Sequence, residues 1–111
     1  MKPGFESDSN TSVIEEVKQK NKTMPRWNVI LFNTDTHTFQ YVIELLCKIF
    51  NKTFDDAKKL AMQIHEEGQA IVDVTTKERA ELKKEQVASF GADPHLSKSK
   101  GPIPCEIEPV E

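Results

Sequence analysis

The order of apolar and polar positions along the chain predicts strands and helices in alternation. The nearly uninterrupted apolar or β-branched run Trp27 to Phe32 predicts a strand that lies centrally in a sheet and is covered on at least one face. From Thr38 the apolar residues recur every three or four positions, which predicts a helix packed on that sheet. These apolar residues are Phe39, Val42, Ile43, Leu46, Ile49 and Phe50.

A second helix and a second strand follow a turn at positions 51–52. Thr53 and Asp56 have the spacing of a helix-starting cap, and the helix is expected to run to about His65. Gly68 suits the left-handed conformation that ends many helices. Apolar and polar residues then alternate from Gln69 to Thr75, as in a strand.

The last third of the chain predicts one more helix and one more strand. Thr75 and Glu78 form a capping box that opens the helix, and Gly91 ends it. The buried face of this helix is expected to contain Ala80, Leu82, Val87 and Phe90. After a loop over positions 92–101, a final strand is predicted by the alternation of Ile103, Cys105 and Ile107.

The resulting order is β-α-α-β-α-β, which predicts an α/β (α+β) two-layer sandwich. Three helices should cover one face of a three-stranded sheet. We assign residues 26–111 to this core domain and residues 1–25 to a flexible N-terminal extension. The extension has few apolar residues with which to offset the entropy of ordering, and a capping box from Ser12 to Glu15 could start only a short helix there.

Composition limits the classes of function. A chain of 111 residues supports one domain, and its net charge of −3, without basic clusters among aromatics, argues against a nucleic-acid partner. The apolar runs are too short to span a bilayer, and the N-terminus lacks the apolar core of a signal peptide. With only two cysteines, Cys47 and Cys105, a reduced, soluble and cytoplasmic protein is expected.

Three polar residues at the ends of predicted elements are candidates for ligand binding. Asn33 and Asp35 follow the first strand directly, and His65 ends the apolar stripe of the second helix. An amide oxygen, a carboxylate and a neutral imidazole could together accept the hydrogen bonds of an ammonium group. The residues alone favour a plainer interpretation, in which Asn33 and Asp35 cap the next helix and His65 interacts with a helix dipole.

Other chemistries have weaker support. Asp35, His37, His65 and His95 lack the spacing of a metal site, so no metal and no cofactor is expected. A hydrolase would need Cys47 beside His65, but a thiol within an apolar helix is usually a small buried group. The charged helix from Thr76 to Gln86 could be a solvated face or a protein-docking face.

Several segments in order resemble the ClpS adaptor family over Trp27 to Pro109. They are WNVILFNTD, FQYVIELLCKIF, IHEEGQAIVDVTTKERAELK and PIPCEIEP. The resemblance implies an adaptor without enzymatic activity, which recognises N-terminal degradation signals and passes substrates to the AAA+ unfoldase ClpA for ClpP proteolysis. Asn33, Asp35 and His65 match the residues that hold the free α-amino group of the substrate.

The resemblance also implies a hydrophobic pocket and an unfoldase-docking surface. A substrate side chain of Phe, Tyr, Trp or Leu should be enclosed by Leu31, Phe32, His37, Phe39, Val42, Ala61, Ile64 and Ile103. Glu78 and Lys83 match positions that dock the unfoldase, and the N-terminal extension matches the segment that enters its pore. A monomer with neither nucleic-acid nor membrane partners is expected.

The chain departs from the family pattern in three segments. Thr34 replaces the first aspartate of the usual pair, whereas Asp35, which matches the ammonium-binding position, is kept. His37-Thr38-Phe39 replaces the common Thr-Pro-Met, so that Phe39 stands where a methionine usually gates the pocket, and Ala61 stands where a methionine usually lines its floor. The alternative function is a domain resembling the C-terminal fold of the ribosomal stalk protein, which binds factors through a helix surface and needs no pocket.

Overall fold

The computed structural model describes residues 25–111. The predicted flexibility of residues 1–24 and the predicted cap at Ser12 lie outside this part of the chain. Within it, the elements follow the predicted β-α-α-β-α-β order. Strands β1 (Trp27–Phe32), β2 (Gln69–Thr75) and β3 (Cys105–Pro109) alternate with helices α1 (Phe39–Ile49), α2 (Phe54–Glu67) and α3 (Lys77–Phe90).

The three strands form an antiparallel sheet in the order β2-β1-β3, so β1 is central, as predicted. Trp27 pairs with Thr75 on one side and with Pro109 on the other. A bulge between Val29 and Ile30 shifts the register against β2. Val29 and Leu31, which alternate with Ile30 along the strand, belong to the core formed with the helices.

A threonine hydroxyl caps the N-terminus of each helix. Thr38 accepts a hydrogen bond from the Tyr41 N–H, and Thr53 accepts one from the Asp56 N–H. For α3 the prediction of Thr75 as the cap is wrong by one residue. Thr75 ends β2, and Thr76 caps the helix. Gly68 ends α2 with φ of 89°, in the predicted left-handed conformation.

The buried face of α3 differs from the prediction at Leu82. This side chain is 46% exposed, whereas the buried residues of α3 are Ala80, Lys83 and Val87. Their spacing of three and four residues places these three on one stripe of the helix, and Leu82 lies about 100° away from Lys83. An aliphatic lysine stem therefore occupies a core position that the apolar pattern assigned to leucine.

Lys83 connects α3 to the end of α1. Its ammonium donates a hydrogen bond of 2.7 Å to the carbonyl oxygen of Ile49 and lies 5.8 Å from the ring centroid of Phe50. The C-terminal carbonyls of a helix lack intrahelical partners and favour a nearby cation. Lys83 is thus held inside the fold, in contrast to its predicted position on a docking surface, whereas Glu78 is exposed.

A loop between α3 and β3 is fastened to the start of α1 by Asp93. This side chain is only 2% exposed, and its Oδ2 atom accepts a hydrogen bond of 2.6 Å from the backbone N–H of Thr38. Its Oδ1 atom accepts one of 2.8 Å from the His95 N–H. The backbone N–H of Asp93 in turn donates to the Ser99 hydroxyl. One carboxylate therefore orders the loop and fixes the first residue before α1.

Tyr41 makes a second connection from α1 to the same loop. Its hydroxyl donates a hydrogen bond of 2.6 Å to the Gly91 carbonyl and accepts one from the Ile103 N–H. Burial raises the pKa of Tyr41, so the hydroxyl keeps the proton that it donates. Both ends of the loop are thereby held against α1.

The Asp93 carboxylate makes stability depend on pH. Burial acts to raise its pKa, but hydrogen bonds from the backbone N–H groups of Thr38 and His95 outweigh burial and lower it below the ordinary value of 3.8. A group with a lowered pKa in the folded state stabilises the fold above its unfolded-state value. That stabilisation is lost as pH falls through the folded-state pKa.

We therefore expect Asp93→Asn to lower the free energy of unfolding at neutral pH by about 1–3 kcal/mol, because an amide nitrogen leaves the N–H of Thr38 or of His95 without its acceptor. Urea unfolding of the full chain measures this. The exposed Asp55→Asn serves as the control and should cost less than about 1 kcal/mol. Between about pH 5 and pH 2, Asp93→Asn should lose less stability than the wild type. Equal acid sensitivity would contradict the role of this carboxylate.

Candidate functional site

Backbone hydrogen bonds bring the end of β1 to the end of α2. The Asn33 N–H donates a bond of 2.8 Å to the carbonyl oxygen of Gly68, the residue that ends α2. The Phe32 N–H donates to the Pro104 carbonyl on the other side of the strand. His65 lies in the last turn of α2. Two polar segments that are far apart in sequence are thereby held side by side.

Asn33, Asp35 and His65 line one pocket of about 560 Å³, a volume typical of small-ligand sites. The pocket lies between the loop after β1, the first turn of α1 and the second half of α2. Its other lining residues are Thr34, His37, Thr38, Phe39, Val42, Ala61, Met62 and Ile64. The structure thus brings the three polar residues to one pocket, and their binding of an ammonium group stays a prediction.

These three polar side chains are exposed at the pocket and form no hydrogen bond with another residue of the segment 25–111. The alternative in which Asp35 caps the next helix does not hold, since Thr38 is that cap. Thr34 makes the turn instead, and its hydroxyl accepts a hydrogen bond of 3.2 Å from the Thr36 N–H. The Asp35 carboxylate is therefore available to a ligand.

His37 is a fixed part of the pocket wall. One of its ring nitrogens, Nε2, lies 2.8 Å from the Gly101 carbonyl oxygen, which can only accept, so Nε2 carries the proton and donates. Nδ1 is then an acceptor and faces the Thr34 hydroxyl. The ring also packs against Tyr41 with 4.9 Å between centroids. With both nitrogens engaged, His37 offers a ligand its apolar ring surface.

Five of the eight residues predicted to form the pocket wall line it, namely His37, Phe39, Val42, Ala61 and Ile64. The other three lie elsewhere. Leu31 and Ile103 are core residues with exposures of 0% and 2%, since their side chains face the helices. Phe32, at the end of β1, does not line the pocket either.

The sequence prediction missed Met62, which lines the pocket and is 42% exposed. Met62 precedes His65 by three positions on α2, and residues three apart lie on the same helix face. That spacing was the available signal. The family pattern has a methionine at the position of Ala61. In this chain the flexible thioether of Met62, one position later, borders the pocket instead.

Other chemistries gain no support from the described residues. No group of three or more metal-ligating side chains occurs among residues 25–111. Cys47 does not line the pocket with His65, so the pair that a cysteine hydrolase would need is not assembled. None of the helices seen in this range is both long and apolar enough to cross a membrane.

Comparison with known proteins identifies the family. The model of the family "ATP-dependent Clp protease adaptor protein ClpS" matches residues 22–97. The ATP-dependent Clp protease adapter protein ClpS of Roseobacter denitrificans is 30% identical over 96% of this chain and 89% of its own length. ClpS 2 of Bradyrhizobium diazoefficiens is 33% identical over 95% of this chain and 91% of its own.

A solved structure shares the fold. Agrobacterium tumefaciens ClpS2 bound to L-phenylalaninamide superposes with a TM-score of 0.67 at 24% sequence identity. The match covers 78% of this chain and 98% of that one. Together with the family match, this favours an adaptor over both the enzyme and the stalk-like domain considered from sequence. The chain belongs to the ClpS family of Clp protease adaptors, which are not catalytic.

Proposed function

We propose that this adaptor binds the N-terminal residue of N-degron substrates and delivers them to a ClpA-type AAA+ unfoldase for degradation by ClpP. The observation that carries the proposal is an apolar pocket beside three acceptors, on Asn33, Asp35 and His65, that have no partner among residues 25–111. The ammonium group of a peptide would bind the acceptors. Its first side chain would fill the pocket.

The chemistry of the acceptors fits an α-ammonium group. Such a group has three N–H donors and one positive charge, and Asp35 supplies the opposite charge with two acceptor oxygens. Asn33 and neutral His65 each supply one more acceptor. Acetylation would remove both the charge and two donors, so only a free N-terminus would satisfy the site.

The apolar half of the pocket fits a bulky uncharged side chain. Phe39, Val42, Ala61, Met62 and Ile64 surround it, and none of them offers a strong hydrogen-bonding group. Phe, Tyr, Trp and Leu are the side chains that we expect it to take. The L-phenylalaninamide bound by the Agrobacterium protein, a molecule with a free amino group and a benzyl side chain, supports this expectation.

Delivery requires a second surface, away from the pocket. Glu78 is exposed on α3 and stays our candidate for docking the unfoldase, whereas the ammonium of Lys83 is bound to the Ile49 carbonyl. The N-terminal extension is the candidate for the segment that enters the unfoldase pore. Among residues 25–111 the lining of the pocket begins at Asn33, and we therefore assign the two tasks to different parts of the chain.

The binding step is tested with a peptide that begins with Phe. We expect Asp35→Asn and His65→Ala each to weaken its binding by about 2–5 kcal/mol, because the first removes the charge that pairs with the ammonium group and the second removes an acceptor. The N-acetylated twin of the peptide should bind the wild type no better than the variants bind the free peptide. Isothermal titration calorimetry measures these affinities.

Glu66→Gln and His95→Gln are the controls, since they change one carboxylate and one histidine outside the pocket. Both should bind like the wild type. If Asp35→Asn and His65→Ala also kept full affinity, or if the acetylated peptide bound equally well, the proposed ammonium site would be wrong.

Specificity should depend on Phe39 and Ala61, because both line the pocket and differ from the family pattern. Removing the Phe39 ring by Phe39→Ala should raise the affinity for N-terminal Ile and Val relative to Leu, since the branched Cβ would no longer meet it. Ala61→Met should fill the floor and penalise Trp more than Leu, by about 1–3 kcal/mol. Leu82→Ala on α3 is the control, and an unaltered order of preference in both pocket variants would exclude both residues from specificity.

Delivery should be separable from binding. Deleting residues 1–24 should leave the affinity for a Phe peptide unchanged and abolish degradation of a reporter substrate by the unfoldase and its peptidase. Asp35→Asn should lose both binding and delivery, whereas the deletion should lose delivery alone. Equal degradation by the full-length and shortened adaptors would contradict the role of the extension.

A further inference from the structure

A second apolar depression lies beside the pocket and shares Phe39 with it. We call it the outer groove and define it by its lining residues Phe39, Gln40, Ile43, Glu44, Cys47, Lys48 and Phe54. Its volume is about 650 Å³, and it runs along the outward face of α1 to the first residue of α2. Nothing in the proposed function uses it.

Its apolar residues are unusually exposed. Phe54 is 61% exposed and Phe39 36%, and Ile43 and Cys47 are half-buried between them. Neighbouring exposed apolar side chains of this size commonly mark a binding surface. The rim carries one acidic and one basic residue, Glu44 and Lys48, so the groove has no strong preference for a charged ligand.

We infer that the outer groove binds the apolar side chain of the third residue of the same peptide whose first residue fills the pocket. The inference rests on the proposed function. It commits to this occupant because the two cavities share Phe39 as a lining residue and are therefore adjacent. A peptide that leaves the pocket over Phe39 enters the outer groove next.

The spacing of an extended peptide agrees with this path. Its residues advance by about 3.3 Å each and alternate in direction, so the first and third side chains face the same way about 7 Å apart. Along α1, Ile43 lies about 6 Å beyond Phe39, and Cys47 about 12 Å beyond it. The third side chain would therefore lie over Ile43 and the fifth close to Cys47, whereas the second and fourth would face solvent.

Cys47 provides a direct test of the path. A peptide cysteine activated as a mixed disulfide with 2-thiopyridine can be attacked by the Cys47 thiolate, which forms a protein–peptide disulfide and releases 2-thiopyridone. Cys105 is an internal control, because burial raises the pKa of its thiol to about 11 and leaves little thiolate. Capture at Cys105 is therefore expected to be slow.

In the first experiment, peptides with N-terminal Phe carry the activated cysteine at position two, three, four or five. We expect fast capture by the full-length protein for positions three and five, slow capture for two and four, and none in Cys47→Ser. Asp35→Asn should slow the fast reactions to the rate of an N-acetylated peptide. Equal rates at all four positions, or rates unaffected by Asp35→Asn, would overturn the inference.

The second experiment measures affinity. An N-terminal Phe peptide with Leu at position three should bind about five- to tenfold more tightly than one with Ser there, as expected for a half-buried leucine side chain. Ile43→Ser should abolish this preference without changing the affinity for the Ser peptide. The control Leu82→Ser replaces an apolar residue on α3, outside the groove, and should keep the preference.

The outcomes separate the two proposals. Tight binding of free but not acetylated Phe peptides, with no preference at position three, would overturn the outer groove and leave the amino-terminal site intact. No discrimination between free and acetylated peptides would overturn the proposed function itself. If sedimentation showed a dimer that Phe54→Ser dissociates, the groove would belong to a second copy of this chain, and the inference would be wrong.

Discussion

The buried carboxylate of Asp93 holds the first residue before α1 in place, and the pocket depends on that position. Its hydrogen bond to the Thr38 N–H occupies one of the N–H groups at the helix start that have no partner within the helix. Thr38 in turn caps the helix with its own hydroxyl, and Phe39, the next residue, lines both the pocket and the outer groove. A loop beyond α3 therefore determines where the wall of the pocket stands.

This loop fixes the polar side of the site as well. The Gly101 carbonyl accepts a hydrogen bond from His37, which leaves the other ring nitrogen of His37 facing Thr34. The neighbouring Thr34 and Thr36 hydroxyls are engaged in this local network, whereas Asp35 is not. The fold thus satisfies the polar groups around Asp35 and leaves its carboxylate without a partner among residues 25–111. We therefore propose Asp35 as a binding group and not as a turn residue.

The elements could be predicted from sequence because local rules set them. Three threonine caps, a glycine helix end and the two apolar periodicities specify where helices and strands lie, and the cap of α3 was misplaced by one residue only because Thr75 and Thr76 are adjacent. Local rules could not predict that Lys83 is buried and Leu82 exposed. A lysine is buried only when its ammonium has a hydrogen-bond acceptor, and that acceptor is the Ile49 carbonyl on another helix.

The site was partly predictable for the same reason. Asn33, Asp35 and His65 stand out because polar residues end apolar elements, but only the fold shows that one pocket holds them together. Leu31 and Ile103 were predicted to line that pocket, and they face the core instead. Whether such a side chain points into the core depends on which face of the sheet the helices cover, and this is a property of the whole fold. Asp93, the group on which the start of α1 depends, lies in a loop with no pattern that marks it.

A crystal structure of the full chain with L-phenylalaninamide would test the central claim most directly. The account predicts the ammonium nitrogen within about 3 Å of oxygens of Asn33 and Asp35 and of a ring nitrogen of His65, with the benzyl ring between Val42 and Ala61. Density for the ligand elsewhere, or an ammonium group that contacts none of these three residues, would contradict it.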